Sequence, residues 1–292
     1  MKYELTTESK ACGISGKTLY RIRALKDIPC FQVTNGLLGG WVETEANLSQ
    51  DGDCWVGDEA IVHGDAVVSG NAHVYGRAVI LNSAKVYGYA RVNGEAQVFR
   101  SAQVYGTARV FCDALVHGTS QVYGNAQVFG RASVMGHARV YGSSMVSDCT
   151  DVYGNAQVGG YAQVCENAKI FGDAQVGSDA WVCENAKIYG NANIYGRSRV
   201  KGSAQVFGDA LIYGNSLIRD NAKVSGNAQV FGEAWVLGEA LVEGKSRVFD
   251  SAKIFGGAHL KDNAEVSGHA HVHGAALLFG ESLLFGCANV SQ

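Results

Sequence analysis

One phrase of eleven residues occurs twice, eighteen residues apart: residues 164–174 read VCENAKIFGDA and residues 182–192 read VCENAKIYGNA. The copies differ only at Phe171 against Tyr189 and Asp173 against Asn191. Within them runs a shorter cycle, in which Val164, Ile170, Val176, Val182, Ile188 and Ile194 step by six. A six-residue unit nested in an eighteen-residue one divides each turn of a coil into three short sides, each turn lying on the last. An α-helix cannot use this period, because its faces return about every 3.6 residues.

The cycle extends far beyond the repeated phrase. From Val56 to Val290 every sixth residue is Val, Ile or Leu. Two places before each later one stands Ala, or else Ser or Thr at Ser120, Ser144, Thr150, Ser198, Ser216, Ser246 and Ser282. The unit is V-x-G-x-A-x. Its A-x-V part alternates as a short strand does, with Ala and Val inward and the residue between them outward. The Gly two places after the aliphatic residue suits a corner of positive φ. This also explains 38 Gly beside a single Pro, Pro29: the glycines fall on the period and do not mark a flexible linker. The expected fold is all-β, a single-stranded parallel β-helix of triangular section with about eighteen residues per coil. About thirteen turns at roughly 4.8 Å each predict a rod near 60 Å long.

Residues 1–55 do not follow the period and are expected to form a small N-terminal β cap, with the solenoid over 56–292. KYELT, TLYRIRAL and CFQV suggest short strands, separated by the turn-prone ESKACGISGK and the Asn35-Gly36 dipeptide. A cap covers the apolar interior and free strand edges that a first turn would expose. Trp41, Val42 and Trp55 are placed to seal that junction.

A formal charge of −3 is too small to argue for nucleic acid, an anionic membrane or a polyanion tail, and nucleic acid is not expected as a partner. No apolar run has the length of a membrane span. The start, MKYELTTESKACG, lacks the apolar core of a signal peptide, so a cytoplasmic protein is expected. The eight cysteines contain no CxxC pair and no zinc-finger spacing. Cys165 and Cys183, eighteen apart, should stack on adjacent turns at a separation that a disulfide tolerates. A cytosolic setting favours two reduced thiols.

The V-x-G-x-A-x unit resembles the hexapeptide repeat of left-handed parallel β-helix proteins. Handedness is implied by that resemblance alone, since general chain rules favour right-handed crossovers. The junction GGWVETEANLSQDGDCWV, residues 39–56, following ALKD at 24–27, resembles a group of enterobacterial and phage-encoded proteins of the YdcK type. Members of that group are commonly labelled acyltransferases. The resemblance therefore implies a phage or prophage setting and, as one activity, acetyl-CoA-dependent acyl transfer. Hexapeptide acyltransferases resemble one another in a trimeric assembly, a catalytic His between subunits and a loop that interrupts the coil.

With the interior filled, function falls to outward positions. One side carries Arg91, Arg109, Gln127, Met145, Gln163, Trp181, Arg199, Leu217, Trp235, Lys253 and His271. Outward Trp serves no packing need of the coil, and Trp and Arg are enriched at binding hot spots. Arg91, Arg109, Trp181, Arg199, Trp235 and Lys253 are thus the candidate partner-binding face. A corner column, Tyr87, Tyr105, Tyr123 and Tyr141, then Gly159 and Gly177, then Tyr195, Tyr213, Phe231 and Phe249, suggests a ladder of stacked rings. A second use of that ladder is to grip sugar rings. Leu277, Phe279, Leu283 and Phe285 replace the usual polar outward residues near the C-terminus, where self-association of a homo-oligomer is expected.

No metal or cofactor is expected. His269, His271 and His273 line one edge without an Asp, Glu or Cys to complete a tetrahedral set. No catalytic residue stands out either. His63, His117 and His137 have no evident orienting carboxylate, and the repeat runs through about forty units without an inserted loop to form a pocket. The leading expectation is a non-catalytic β-solenoid that binds a protein partner, with the acyltransferase and the carbohydrate binder as alternatives.

Overall fold

The computed structural model describes residues 1–13 and 16–291, and its chain divides into two compact units, Met1–Ser143 and Ser144–Gln292. Both are parallel β-solenoid, and the only helical segments among the described residues are two single 3-10 turns.

The first unit begins with an antiparallel pair, β1 (Tyr3–Ala11) and β2 (Thr18–Ala24), interrupted by an irregularity between Leu5 and Ser9. β1 runs through ESKA, which the sequence suggests as a turn; of the remainder of that stretch, Ile14 and Ser15 lie outside the described residues. β2 pairs antiparallel with β3 (Leu38–Val42), and β3 pairs parallel with Ile61–Val62, so it joins the stacked coils directly. CFQV is not a strand. Pro29, with its fixed φ and missing N–H, starts the 3-10 turn Pro29–Phe31, Gln32 follows at φ 56, and only Val33 returns to pair with Ile28.

Trp41, Val42 and Trp55 are buried at the junction, as the sequence suggests. Trp41 packs on Cys12 and Leu19, and its indole N–H donates to Glu59 at 2.9 Å. Glu59 also accepts from Arg21 at 2.7 Å and Lys10 at 3.3 Å, which holds its carboxyl down to about 2. Asn47, from the second 3-10 turn (Glu45–Asn47), is fully engaged: its carbonyl accepts from the Glu43 and Thr44 amides and its amide donates to Gly64 and Ala66.

Beyond the cap, the strands are two residues long, except His271–His273 and Asn289–Ser291 at three, and each pairs with the strand eighteen residues away. In the first unit one side runs through Trp55–Val56, His73–Val74, Arg91–Val92 and Arg109–Val110. In the second unit one side runs through Gln163–Val164, Trp181–Val182, Arg199–Val200, Leu217–Ile218, Trp235–Val236 and Lys253–Ile254. The second residue of each of these strands is buried, as is the small residue before the strand (Ala, or Cys54, Ser198 and Ser216), and together they fill the interior. The backbone is satisfied coil to coil, as where Lys169 N donates to Ala186 O and Phe171 N to Ile188 O, each at 2.9 Å.

The corners explain the glycines. At Gly196, φ is 68 and an added Cβ would lie 2.6 Å from the carbonyl oxygen of Gly214, so both the backbone and the neighbouring coil exclude a side chain. Where another residue takes the corner it is often acidic. Asp220, at φ 62, accepts from the amide of Gly238 at 3.0 Å, a bond that offsets part of the left-handed cost.

Candidate functional site

The strand period points every first strand residue outward, and on the second unit this assembles a continuous face. Trp181, Arg199, Leu217, Trp235, Lys253 and His271 follow one another as direct cross-strand neighbours. Trp181 is 41% and Trp235 39% exposed, so each indole presents one broad surface to solvent. Two open hollows flank Arg199. One, of about 360 Å³, is lined by Gln163, Asp179, Trp181, Arg197 and Arg199. The other, of about 370 Å³, is lined by Arg197, Arg199, Asn215, Leu217, Glu233 and Trp235.

The electrostatics of this face are mixed. Arg197 lies 4.0 Å from Asp179, an exposed pair worth little by itself. Lys253 Nζ sits 4.5 Å above the Trp235 ring, a cation–π contact of about 0.5–1 kcal/mol at an exposed site. Arg199 has no ion-pair partner among the described residues, so its guanidinium is available to an incoming carboxylate. Asp179, Arg197, Asn215 and Glu233 were missed from the sequence. They sit just before the inward Ala or Ser and form their own eighteen-residue column, the signal that would have found them.

Of the other residues expected on the face, Arg91 and Arg109 are cross-strand neighbours in the first unit. Arg91 lines a smaller hollow of about 230 Å³ with Cys30, Phe31, Asp53, Asn71 and Tyr89. Here the cap's 3-10 turn lays Phe31 on His73, ring centroids 4.1 Å apart, and Tyr75 stacks on the other side at 4.3 Å. Burial, reinforced by the charge of Arg91 and opposed by Asp58, holds the His73 imidazole down to about 4.

The thiols Cys165 and Cys183 are both free and lie at a corner beside the Trp181 strand. The Trp181 indole N–H donates to Cys165 Sγ at 3.3 Å. Hydrogen bonding from Cys183, then from Trp181, lowers the Cys165 thiol to about 7 against the opposing effect of burial. Cys183, which donates to that sulfur and is buried, is pushed up.

The remaining histidines take up varied environments. His63 and His117 are both lowered by burial; His63 Nε2 and His117 Nδ1 have no hydrogen-bond partner among the described residues. His137 lies 2.6 Å from the Thr119 hydroxyl. His273 stacks on Phe255 and meets Asn289 at 2.8 Å. A histidine with a carboxylate beside it does occur elsewhere: His259 Nε2 lies 2.8 Å from Glu243 Oε1.

The aromatic column stacks in two runs, Tyr87 to Tyr141 and Tyr213 to Phe249. Tyr195 leans back over Gly177, where a Cβ would meet its ring at 3.1 Å, and donates to Gln175 at 2.8 Å. A second column, Tyr153, Phe171, Tyr189 and Phe207, stacks on another corner. Leu277, Phe279, Leu283 and Phe285 are exposed, Phe285 at 72%. No helix among the described residues is long and apolar enough to cross a membrane.

No family model matches the chain. Over 80 residues it is 39% identical to the uncharacterized acetyltransferase YdcK of Escherichia coli (strain K12). That stretch is 25% of this chain and 24% of the relative, so the chain spans about a quarter of the length of the curated relative it matches. The repeat, the stacked parallel coils and this match together fit a hexapeptide-repeat β-helix family.

Proposed function

We propose that the chain is a β-solenoid binding scaffold that holds a protein partner on the outward face from Trp181 to Lys253. The observation that carries this is the pair of half-exposed indoles set on either side of Arg199 and Leu217, over two open hollows. Flat surfaces with a few large anchors suit protein partners, whereas small molecules favour enclosed, apolar concavities. The complementary surface would offer an aromatic or aliphatic side chain to the indoles and a carboxylate to Arg199. Arg91 and Arg109 are proposed as a separate, weaker contribution to binding, and the working environment as the cytoplasm.

The test is retention of a partner from host lysate on the immobilised chain. Trp181→Ala and Trp235→Ala should each cost about 2 kcal/mol of binding, as hot-spot residues do, with unchanged circular dichroism. Unchanged retention by the double variant would remove this face from the reading.

Two observations favour acetyl-CoA-dependent acyl transfer as the second reading: the match to a protein called an acetyltransferase, and the His259–Glu243 pair, which has the geometry of an oriented base. Titration calorimetry with acetyl-CoA separates the readings. Micromolar binding that supports acyl transfer lost in His259→Asn would favour the enzyme, and no heat would favour the scaffold. Self-association is proposed through Leu277, Phe279, Leu283 and Phe285, whose exposed apolar surface is more than single scattered residues present.

A further inference from the structure

Among the described residues, every acidic side chain at a corner of positive φ except one accepts a hydrogen bond from the corner amide of the next coil. Asp148 takes it from Glu166 N at 3.1 Å and Glu184 from Gly202 N at 2.9 Å. Asp58, Asp220, Asp250 and Asp262 do likewise. Glu166 is the exception. Its carboxylate leaves the amide of Glu184 alone and lies with the sulfurs of Cys165 and Cys183, the three ligand atoms all within 4.8 Å of one another. No other such group of three His, Cys, Asp or Glu side chains occurs among the described residues.

We propose that Cys165, Cys183 and Glu166 form a binding site for a thiophilic divalent cation of the zinc class. Zinc–sulfur bonds of about 2.3 Å and zinc–oxygen bonds of about 2.0–2.2 Å place two ligands of a tetrahedral ion about 3.4–3.8 Å apart. Small side-chain rotations therefore bring the three atoms onto one ion without moving the backbone. The backbone already supplies the spacing, because Val164 and Val182, the residues just before the two cysteines, are paired in parallel register. Two thiolates and one carboxylate select zinc-like cations over magnesium or calcium, which prefer oxygen alone. The Trp181 indole N–H, 3.3 Å from Cys165 Sγ, fixes the orientation of that sulfur, the role an outer partner plays at metal sites. Cys183 is buried and Glu166 exposed, so the ion enters from the carboxylate side. Three protein ligands leave a fourth position for water or for a group of another molecule.

The site follows from the repeated phrase, but not from both halves of it equally. The second copy's acid, Glu184, is tied to Gly202, so one ion is expected and not two.

Cobalt(II) titration of the reduced full chain tests the site, read by the near-ultraviolet thiolate-to-cobalt charge-transfer band and by competition with zinc(II). The band should appear at one equivalent, vanish on zinc addition, and be lost in Cys165→Ser and in Cys183→Ser. Cys149→Ser, at the exposed thiol nearby, should keep it. Glu166→Gln changes only an exposed side chain; it should retain the fold by circular dichroism and weaken cobalt binding about tenfold or more. The proposal is overturned by absence of the band in the reduced wild-type chain. It is equally overturned by a band that survives in the Cys165→Ser/Cys183→Ser double variant, or by unchanged affinity in Glu166→Gln. A Cys165–Cys183 disulfide that persists in the chain after mild reduction, seen by non-reducing peptide mapping, also overturns it.

Discussion

His73 shows how one side chain can set a response to pH. Its imidazole, held to about 4 by burial and Arg91, is neutral in the folded chain, whereas an unfolded histidine titrates near 6.5. As pH falls from about 6.5 toward 4 the unfolded state takes up the proton first, so stability drops across that window and levels off below it. His63 and His117, also lowered by burial, act with the same sign. Glu59 acts lower, because a carboxyl held to about 2 gives up its contribution only as pH falls from about 4.5 toward 2. His73→Phe, which keeps a ring between Phe31 and Tyr75, should flatten part of the slope between pH 6.5 and 4 in urea denaturation. An identical slope would mean that His73 takes no part. Thr150 makes a second case. Its hydroxyl is buried in the inward column without a hydrogen-bond partner among the described residues, whereas Ser120 in the same kind of position donates to His117 O at 2.8 Å. Removing an orphaned buried hydroxyl recovers about 1–3 kcal/mol and losing a methyl costs about 0.8. Thr150→Ala should therefore stabilise the fold by about 1 kcal/mol, measured by the same denaturation.

At the scale of the element, the stacked rings are the feature with the most regular geometry. Phe171 stands between Tyr153 and Tyr189 with centroids 4.9 Å away on both sides and rings within 3° of parallel. Phe171→Ala loses two stacking contacts and the area they cover, an expected cost of about 3 kcal/mol by equilibrium denaturation. Tyr161→Ala, at an exposed position, should change stability by less than about 0.5 kcal/mol. The columns were legible in the sequence because a six-residue strand-and-corner unit assigns each residue a side before any contact is known. Trp181, Arg199 and Trp235 could be placed on one face for that reason. What the period does not carry is the position of parts outside it. Phe31 reaches His73 only because Pro29 turns a stretch whose composition suggests a strand into a 3-10 turn. The Trp181–Cys165 contact was equally hidden, since it depends on how two side chains rotate and not on which column they occupy. The second ring column, by contrast, was present in the spacing of Tyr153, Phe171, Tyr189 and Phe207 and needed only the other corner to be read.

For the molecule as a whole, the exposed Leu277, Phe279, Leu283 and Phe285 bear on its state in solution. Light scattering at micromolar concentration should give more than a monomer mass, and Leu283→Glu with Phe285→Glu should return it to the monomer. A monomer in the unaltered chain would discard this self-association. Within the stacked coils of each unit the ladder bonds link residues about one turn apart, as from Trp181 N to Ser198 O, so a turn depends on the two beside it. The eighteen-residue register also limits how such a chain can change in length. Excising one full turn inside the second unit would rejoin the strand stacks with Trp235 still on the same side as Trp181. Excising six residues between those two would keep every interior Val and Ala in place, yet carry Trp235 a third of the way around to the neighbouring side. Inheritance can therefore shorten or lengthen this protein painlessly in units of six as far as folding is concerned, but only multiples of three such units keep its outer surface intact.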